Sequence, residues 1–173
     1  LGDVYKRQAQ GMSGMMSVTG HPNSPPVKAS IPLADLSAGM FAAFGTLSAY
    51  IYRLKTGIGQ VVDTSLLDSA IALTPWAAAE FWGTGKSPAP KGSAHRLVAP
   101  YQAFQSIDGY FNIGVANQPN FARLCNAIGR PELIQDLRFK DNPSRVVNYQ
   151  ELEKEIELIT KTKTTGEWLA ILE

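Results

Sequence analysis

Residues 31–68 read I-P-L-A-D-L-S-A-G-M-F-A-A-F-G-T-L-S-A-Y-I-Y-R-L-K-T-G-I-G-Q-V-V-D-T-S-L-L-D, and the rest of the chain is organised around them. Leu33, Leu36, Met40, Phe44, Leu47, Ile51 and Leu54 recur at alternating steps of three and four, the period of one helix face. The other faces carry Ala34, Ser37, Ala38, Gly39, Ala42, Ala43, Gly45, Ser48 and Ala49, not charges. A helix that is apolar on one side and small on the others is expected to be buried and packed on several sides. Asp35 suits the first turn, near the positive end of the helix dipole; Arg53 and Lys55 suit the last turn, and Gly57 a left-handed stop. Residues 59–64 predict a short strand, and Ser65 with Asp68 predicts the cap of a second helix running through Ile71, Leu73 and Trp76 toward Trp82. The uncharged run from Leu36 to Tyr52 is about as short as a membrane span can be. Asp35 and Arg53 bound it and no second span follows, so the reading is a buried helix and no membrane partner.

On the N-terminal side, residues 10–20, Q-G-M-S-G-M-M-S-V-T-G, are apolar and punctuated by glycine. Met12, Met15 and Met16 are flexible filler for a core or the lining of a cleft. The loop H-P-N-S-P-P at 21–26 leads into the long helix. On the C-terminal side, composition changes at G-T-G-K-S-P-A-P-K-G-S-A-H, 83–95, which reads as a linker or, alternatively, as an electropositive loop over a phosphate-bearing ligand. Residues 101–116 predict a hairpin turned by Asp108-Gly109 with positive backbone angles. Residues 117–128 predict a helix burying Phe121, Leu124, Cys125 and Ile128. Asn148 with Glu151, and Thr164 with Glu167, predict two further capped helices.

The 173 residues are 45% hydrophobic with a formal charge of +1, enough apolar content for a core and no field for nucleic acid. A single cysteine, Cys125, excludes an intramolecular disulfide framework and suits a reducing compartment, so the expected location is cytoplasmic. Metal-ligand spacings, phosphate-binding glycine loops and nucleophile elbows are absent from the sequence. The chain begins without Met and stops inside an amphipathic pattern, which predicts an internal fragment of a longer protein.

Several segments in order carry a resemblance: Q-G-M-S-G-M-M-S-V-T-G-H-P-N-S-P-P at 10–26, A-D-L-S-A-G at 34–39, R-L-K-T-G-I-G-Q-V-V-D at 53–63, P-Y-Q-A-F at 100–104, D-G-Y at 108–110, L-C-N-A-I-G-R-P-E-L at 124–133, D-L-R-F at 136–139 and E-W-L at 167–169. Together they resemble the family III CoA-transferases of the CaiB/BaiF type. The resemblance implies an α/β fold, with part of a Rossmann-like large domain and a smaller α+β domain, in an interlocked homodimer when full length. It divides the chain into a non-matching stretch at 1–9, large-domain sequence at 10–82, a linker at 83–99 and a truncated small domain at 100–173.

The resemblance also implies chemistry. Such enzymes move CoA from an acyl-CoA to a carboxylic acid through an aspartyl anhydride and an aspartyl thioester. Coenzyme A is a substrate, with no covalently bound cofactor and no metal. The alternatives are a 2-methylacyl-CoA racemase of the same superfamily and a non-catalytic assembly module. The resemblance puts the aspartate four residues before Gln10, where this sequence has Lys6; Asp3 is out of register, and the fragment alone is expected to be inactive. Residues expected to line the acyl and CoA cleft are Gln10, Gly11, Met40, His95, Asn117 and Gln118. Donor and acceptor acids have no readable code.

Overall fold

A computed structural model describes residues 2–172, with side chains from residue 5 onward. The Asp3 side chain therefore lies outside the described part. The chain forms two compact units, Leu1–Gly92 and Ser93–Glu173, and is helix-rich with one small sheet.

In the first unit α1 (Gly2–Met12) and α2 (Met15–Val18) precede the long α3 (Leu33–Thr56), followed by α4 (Leu66–Ala72) and α5 (Pro75–Thr84). α3 packs on α4, and α1 on both. Two alanines, Ala34 and Ala70, form the core with Met15, and Ala29 and Leu33 pack against it. The long helix ends as expected, at Gly57 with φ 75° and its N–H donating to Arg53 C=O at 2.8 Å. The Ser65 and Asp68 cap also forms, with Asp68 N–H donating to Ser65 Oγ at 3.0 Å and that hydroxyl donating to the Asp68 carboxylate at 2.7 Å.

Three expectations for this unit are corrected. The stripe of Leu36, Met40, Phe44, Leu47, Ile51 and Leu54 is not buried; each is more than half exposed. Close approach occurs on the small faces instead, at Ala34, at Ser37 and at Gly45, which lies against Val62. Residues 59–64 are extended but form no strand: among the described residues no second strand pairs with them, and Val61 is 94% exposed. A ladder needs a partner to satisfy its amides, and sequence alternation does not supply one. The second helix is broken at Thr74, because Pro75 has no N–H to continue α4 and instead starts α5 at its first position.

The second unit contains β1 (Tyr101–Gln105) and β2 (Tyr110–Gly114), then α6 (Gln118–Ala127), a 3₁₀ turn (Pro131–Ile134), α7 (Asn142–Val147), α8 (Tyr149–Thr160) and α9 (Thr165–Leu172). The strands are antiparallel, pairing Tyr101 with Gly114 and Gln105 with Tyr110. Alternation puts Phe104, Phe111 and Ile113 on the covered face, where they meet Phe121 and Cys125 of α6, Phe139, Leu152 and Ile156 of α8 and Trp168 of α9. Each large apolar side chain so buried stabilises the fold by about 1.5–3 kcal/mol. The Trp168 indole N–H donates to Thr160 C=O at 2.7 Å, which satisfies its one polar atom inside that core. Burial pushes the Cys125 thiol up to about 11, an inert core residue as read from its helix face.

The hairpin turn differs from expectation, since neither Asp108 nor Gly109 has a positive φ. The reversal is spread over residues 106–109, closed by Ser106 N–H to Gly109 C=O at 2.9 Å, so no left-handed residue is required. Asp108 instead ties elements together, its carboxylate accepting from Thr165 N–H at 2.8 Å and Ser106 Oγ at 2.9 Å. Thr164 and Glu167 form the expected reciprocal cap of α9. Asn148 does not cap α8: its amide donates to Arg138 C=O and Ser144 C=O. Among the described residues no helix is long and apolar enough to cross a membrane.

Candidate functional site

A cavity of about 160 Å³ opens where α1 meets the first turn of α3, lined by Lys6, Arg7 and Gln10 of α1, by the segment Lys28 to Pro32, and by Asp35. Among the described residues, three cations, Lys6, Arg7 and Lys28, and one carboxylate, Asp35, line it. Gln10 is held in place: it is buried, and its side-chain oxygen accepts from Ala29 N–H at 3.1 Å, fixing the segment that enters α3. Asp35 is anchored by its neighbours, since Ala34 is fully buried and Ser37 nearly so, with the Ser37 hydroxyl donating to Leu33 C=O at 2.8 Å. Lys6 Nζ stands 3.4 Å from Asp35 Oδ1, a pair 46% and 29% exposed. A pair so open to solvent contributes only about 0.2–1 kcal/mol. Its consequence is chemical, because the cations and the N-terminus of a 24-residue helix favour an anion here.

Asp35 is the residue that reading the sequence as a helix end passed over. It occupies the third helical position, where an acid normally reaches back to the cap residue's N–H, as Glu167 does to Thr164. Here the cap residue is Pro32, which has neither an N–H nor a hydroxyl, and no side-chain cap forms. An acid at that position behind a proline cap is a legible signal that the carboxylate is not spent on capping.

The expected site residues separate. Lys6 and Gln10 line the cavity, whereas Gly11 and Met40 do not; Gly11 lies on exposed α1 surface and Met40 is 55% exposed on α3. His95, Asn117 and Gln118 belong to the second unit. There His95 stacks on Tyr101 at 5.3 Å between ring centres, and its Nδ1 accepts from Leu97 N–H at 3.1 Å. That bond leaves Nε2 as the proton-bearing atom of the neutral ring. Asn117 caps α6 by accepting from Asn120 N–H at 2.9 Å. Gln118 accepts from Arg145 Nη1 at 2.7 Å.

Sequence reading missed Arg145, which fixes the segment carrying His95. Its guanidinium is buried, lies 4.2 Å over the Phe121 ring, and donates from Nε to Ala99 C=O at 2.7 Å and from Nη1 to Phe139 C=O at 3.0 Å. Burial lowers its pKa, yet a guanidinium stays charged at neutral pH. Asn142, three residues earlier on α7, accepts from Ala99 N–H and donates to Leu97 C=O. Among the described residues no cluster of three or more histidine, cysteine or acidic side chains is placed to hold a metal.

The fold agrees with that of similar proteins. The family model for CoA-transferase family III matches residues 4–173, and the chain belongs to that family. It is 36% identical over 169 residues to succinyl-CoA:glutarate CoA-transferase of Mus musculus, covering 98% of this chain and 39% of that protein. It is 36% identical to acetyl-CoA:oxalate CoA-transferase of Acetobacter aceti, covering 98% of this chain and 44% of the relative. A crystal structure of a CAIB/BAIF family protein from Brucella suis superposes with a TM-score of 0.80 at 36% identity, over 96% of this chain and 44% of that one. The chain thus spans less than half the length of these relatives.

Proposed function

We propose that the protein to which this chain belongs transfers CoA between an acyl-CoA and a carboxylic acid, and that Asp35 is its nucleophile. The sequence resemblance pointed to the position of Lys6; Asp35, across the same cavity, is the carboxylate available there. The observation carrying the reading is that, among the described residues, one aspartate lines the cavity with Lys6, Arg7 and Lys28, at a helix N-terminus without a side-chain cap, in a chain of this family. The Asp35 carboxylate attacks the donor thioester carbonyl, the C–S bond breaks, and CoA leaves as thiolate. That thiolate attacks the aspartyl carbonyl of the mixed anhydride, releasing the donor acid and leaving an aspartyl-CoA thioester. The acceptor carboxylate then attacks the aspartyl carbonyl of that thioester, expelling CoA thiolate and forming a second mixed anhydride, and the thiolate attacks the acceptor-derived carbonyl of this anhydride, which gives the acceptor acyl-CoA and regenerates the Asp35 carboxylate. No proton need be gained or lost overall, which suits a site lined by cations.

The names of the relatives support transfer over racemisation. The exposed apolar stripe of α3 supports a Rossmann-like large domain and an interlocked homodimer in the longer protein, because a helix so apolar is not left in water. A cytoplasmic setting belongs to the same reading, supported by the one buried free cysteine. The test uses the full-length protein with succinyl-CoA and glutarate, or acetyl-CoA and oxalate, as probes. Wild-type enzyme incubated with donor and hydroxylamine is expected to be inactivated with a modification on Asp35, and Asp35→Asn to lose transfer by at least about a thousandfold. Retained transfer in Asp35→Asn overturns the assignment. Racemisation of a 2-methylacyl-CoA without transfer to any acid overturns the reaction class.

A further inference from the structure

His95 is exposed, yet its side chain is fixed as a buried one would be. Its backbone N–H donates to Tyr101 C=O at 2.9 Å, its ring stacks on Tyr101 with 5.3 Å between centres and 17° between planes, and Nδ1 accepts from Leu97 N–H at 3.1 Å. Tyr101 lies in turn over Gly114, its cross-strand partner, where a Cβ would stand 3.3 Å from Tyr101 Cε2. The missing side chain is what lets the ring lie so close to β2. The segment after His95 is clamped from α7. Asn142 Nδ2 donates to Leu97 C=O at 2.8 Å, Ala99 N–H donates to Asn142 Oδ1 at 3.2 Å, and Arg145 Nε donates to Ala99 C=O at 2.7 Å. Because Nδ1 is an acceptor, the neutral ring carries its proton on Nε2, and among the described residues that N–H meets no partner. The charge behind the segment is positive. Arg145 is buried and its bonds end on neutral oxygens, Ala99 C=O, Phe139 C=O and Gln118 Oε1. The acid that acts on it, Asp141, spends its carboxylate on Ser144 N–H at 2.8 Å.

We propose that His95 Nε2–H binds a carboxylate oxygen of the acid substrate. A donor already fixed at its backbone, at one ring face and at Nδ1 has little freedom left to lose on binding, whereas a freely turning surface imidazole must be ordered first. Its hydrogen bond to a carboxylate is charge-assisted, roughly twice as strong as one to a neutral oxygen. The buried guanidinium behind the segment favours the anion further, since charges act at longer range where water is excluded. No proton changes hands in this contact: Nε2 keeps its hydrogen and orients the acid. The inference rests on the reading of the longer protein as a CoA-transferase, and it is independent of Asp35 as the nucleophile.

Two substitutions in the full-length protein separate the donor from the loop that carries it. His95→Asn keeps an acceptor at the Nδ1 side for Leu97 N–H and has no donor at the Nε2 side; His95→Gln keeps a donor at the Nε2 side and gives up the Leu97 bond. Steady-state transfer from succinyl-CoA to glutarate, or from acetyl-CoA to oxalate, reads the result. His95→Asn is expected to raise the KM of the acid by about 10- to 100-fold with the KM of the acyl-CoA unchanged, and His95→Gln to stay within about threefold of wild type. The reverse order, or equal loss in both variants, shows that the ring serves the loop and overturns the proposal. A rise confined to the KM of the acyl-CoA overturns it in favour of the thioester oxygen. Wild-type protein that transfers CoA to neither acid, nor to any other, overturns the reaction class and this inference with it.

Discussion

Replacing Arg145 tests how the second unit is held together. Its guanidinium holds three acceptors, Ala99 C=O, Phe139 C=O and the Gln118 side chain, from a position 1% exposed. Arg145→Met keeps most of the volume and removes every donor. The Gln118 oxygen can turn toward water, but the two backbone carbonyls stay buried, at about 1–3 kcal/mol each. Loss of the stacking on Phe121 adds about 0.5–2 kcal/mol. The sum, roughly 2.5–8 kcal/mol, brackets the cost of about 3–5 kcal/mol for truncating one side of a buried charged pair. Arg145→Ala adds a cavity and is expected to be worse, while Arg145→Lys, with one compact donor group, falls between wild type and Met. Urea unfolding followed by near-UV circular dichroism of Trp168, whose indole is buried against Phe111 in this unit, reads the difference. Replacing a buried ion by an apolar side chain is sometimes neutral, but only where its partners leave with it. Backbone carbonyls cannot leave, so a cost under about 1 kcal/mol for Arg145→Met would refute the reasoning.

Gly45→Ala places a Cβ 2.7 Å from Val62 Cγ1, a contact that forces movement. In the wild-type background it is expected to be neutral or destabilising by up to about 3 kcal/mol, but with Val62→Ala already present it should stabilise by about 1 kcal/mol through helix propensity alone. Thermal unfolding of the four proteins decides it, and the same sign in both backgrounds would show that Val62 does not press on α3. Asp108 is held below its ordinary value by Thr165 N–H and then by the Ser106 hydroxyl. Its contribution is present above the unfolded value of about 3.9 and is lost as pH falls through the lower folded value. The stability gap between wild type and Asp108→Asn should therefore close on acidification; a gap constant from neutral pH down to full protonation would rule the linkage out.

What was legible in the sequence was whatever depends on neighbours in the chain. Gly57 stops α3, Ser65 with Asp68 and Thr164 with Glu167 form caps, and the α6 face that buries Phe121 and Cys125 follows from spacing alone. Asn148 misled because its amide donates as readily as it accepts, and here it donates. The Asp108-Gly109 pair fits a tight turn, but a four-residue loop removes the need for positive angles. Burial of the α3 stripe and pairing at 59–64 both depend on surfaces beyond the elements that the described residues bring against them. No periodicity within α3 reveals that. Gln10 lines a cavity at the head of α3, and Asp35 beside it had an adequate second explanation in the sequence as a helix-end charge.

The two sides of α3 therefore do different things. Its first turn is fixed by small residues, Ala34 and Ser37, packed where α1, α4 and the segment tied to Gln10 converge, so the direction of Asp35 does not depend on whether the outer stripe is covered. From Leu36 to Leu54 the large side chains remain in solvent. Each of the six in the stripe is 51–68% exposed, so covering them gains about half of what full burial brings, roughly 5–9 kcal/mol in all before the cost of association. The anion-favouring cavity at the head of the helix is assembled with that surface uncovered. The direction of the carboxylate is thus set by local packing at the head of the helix and not by whatever lies against the stripe.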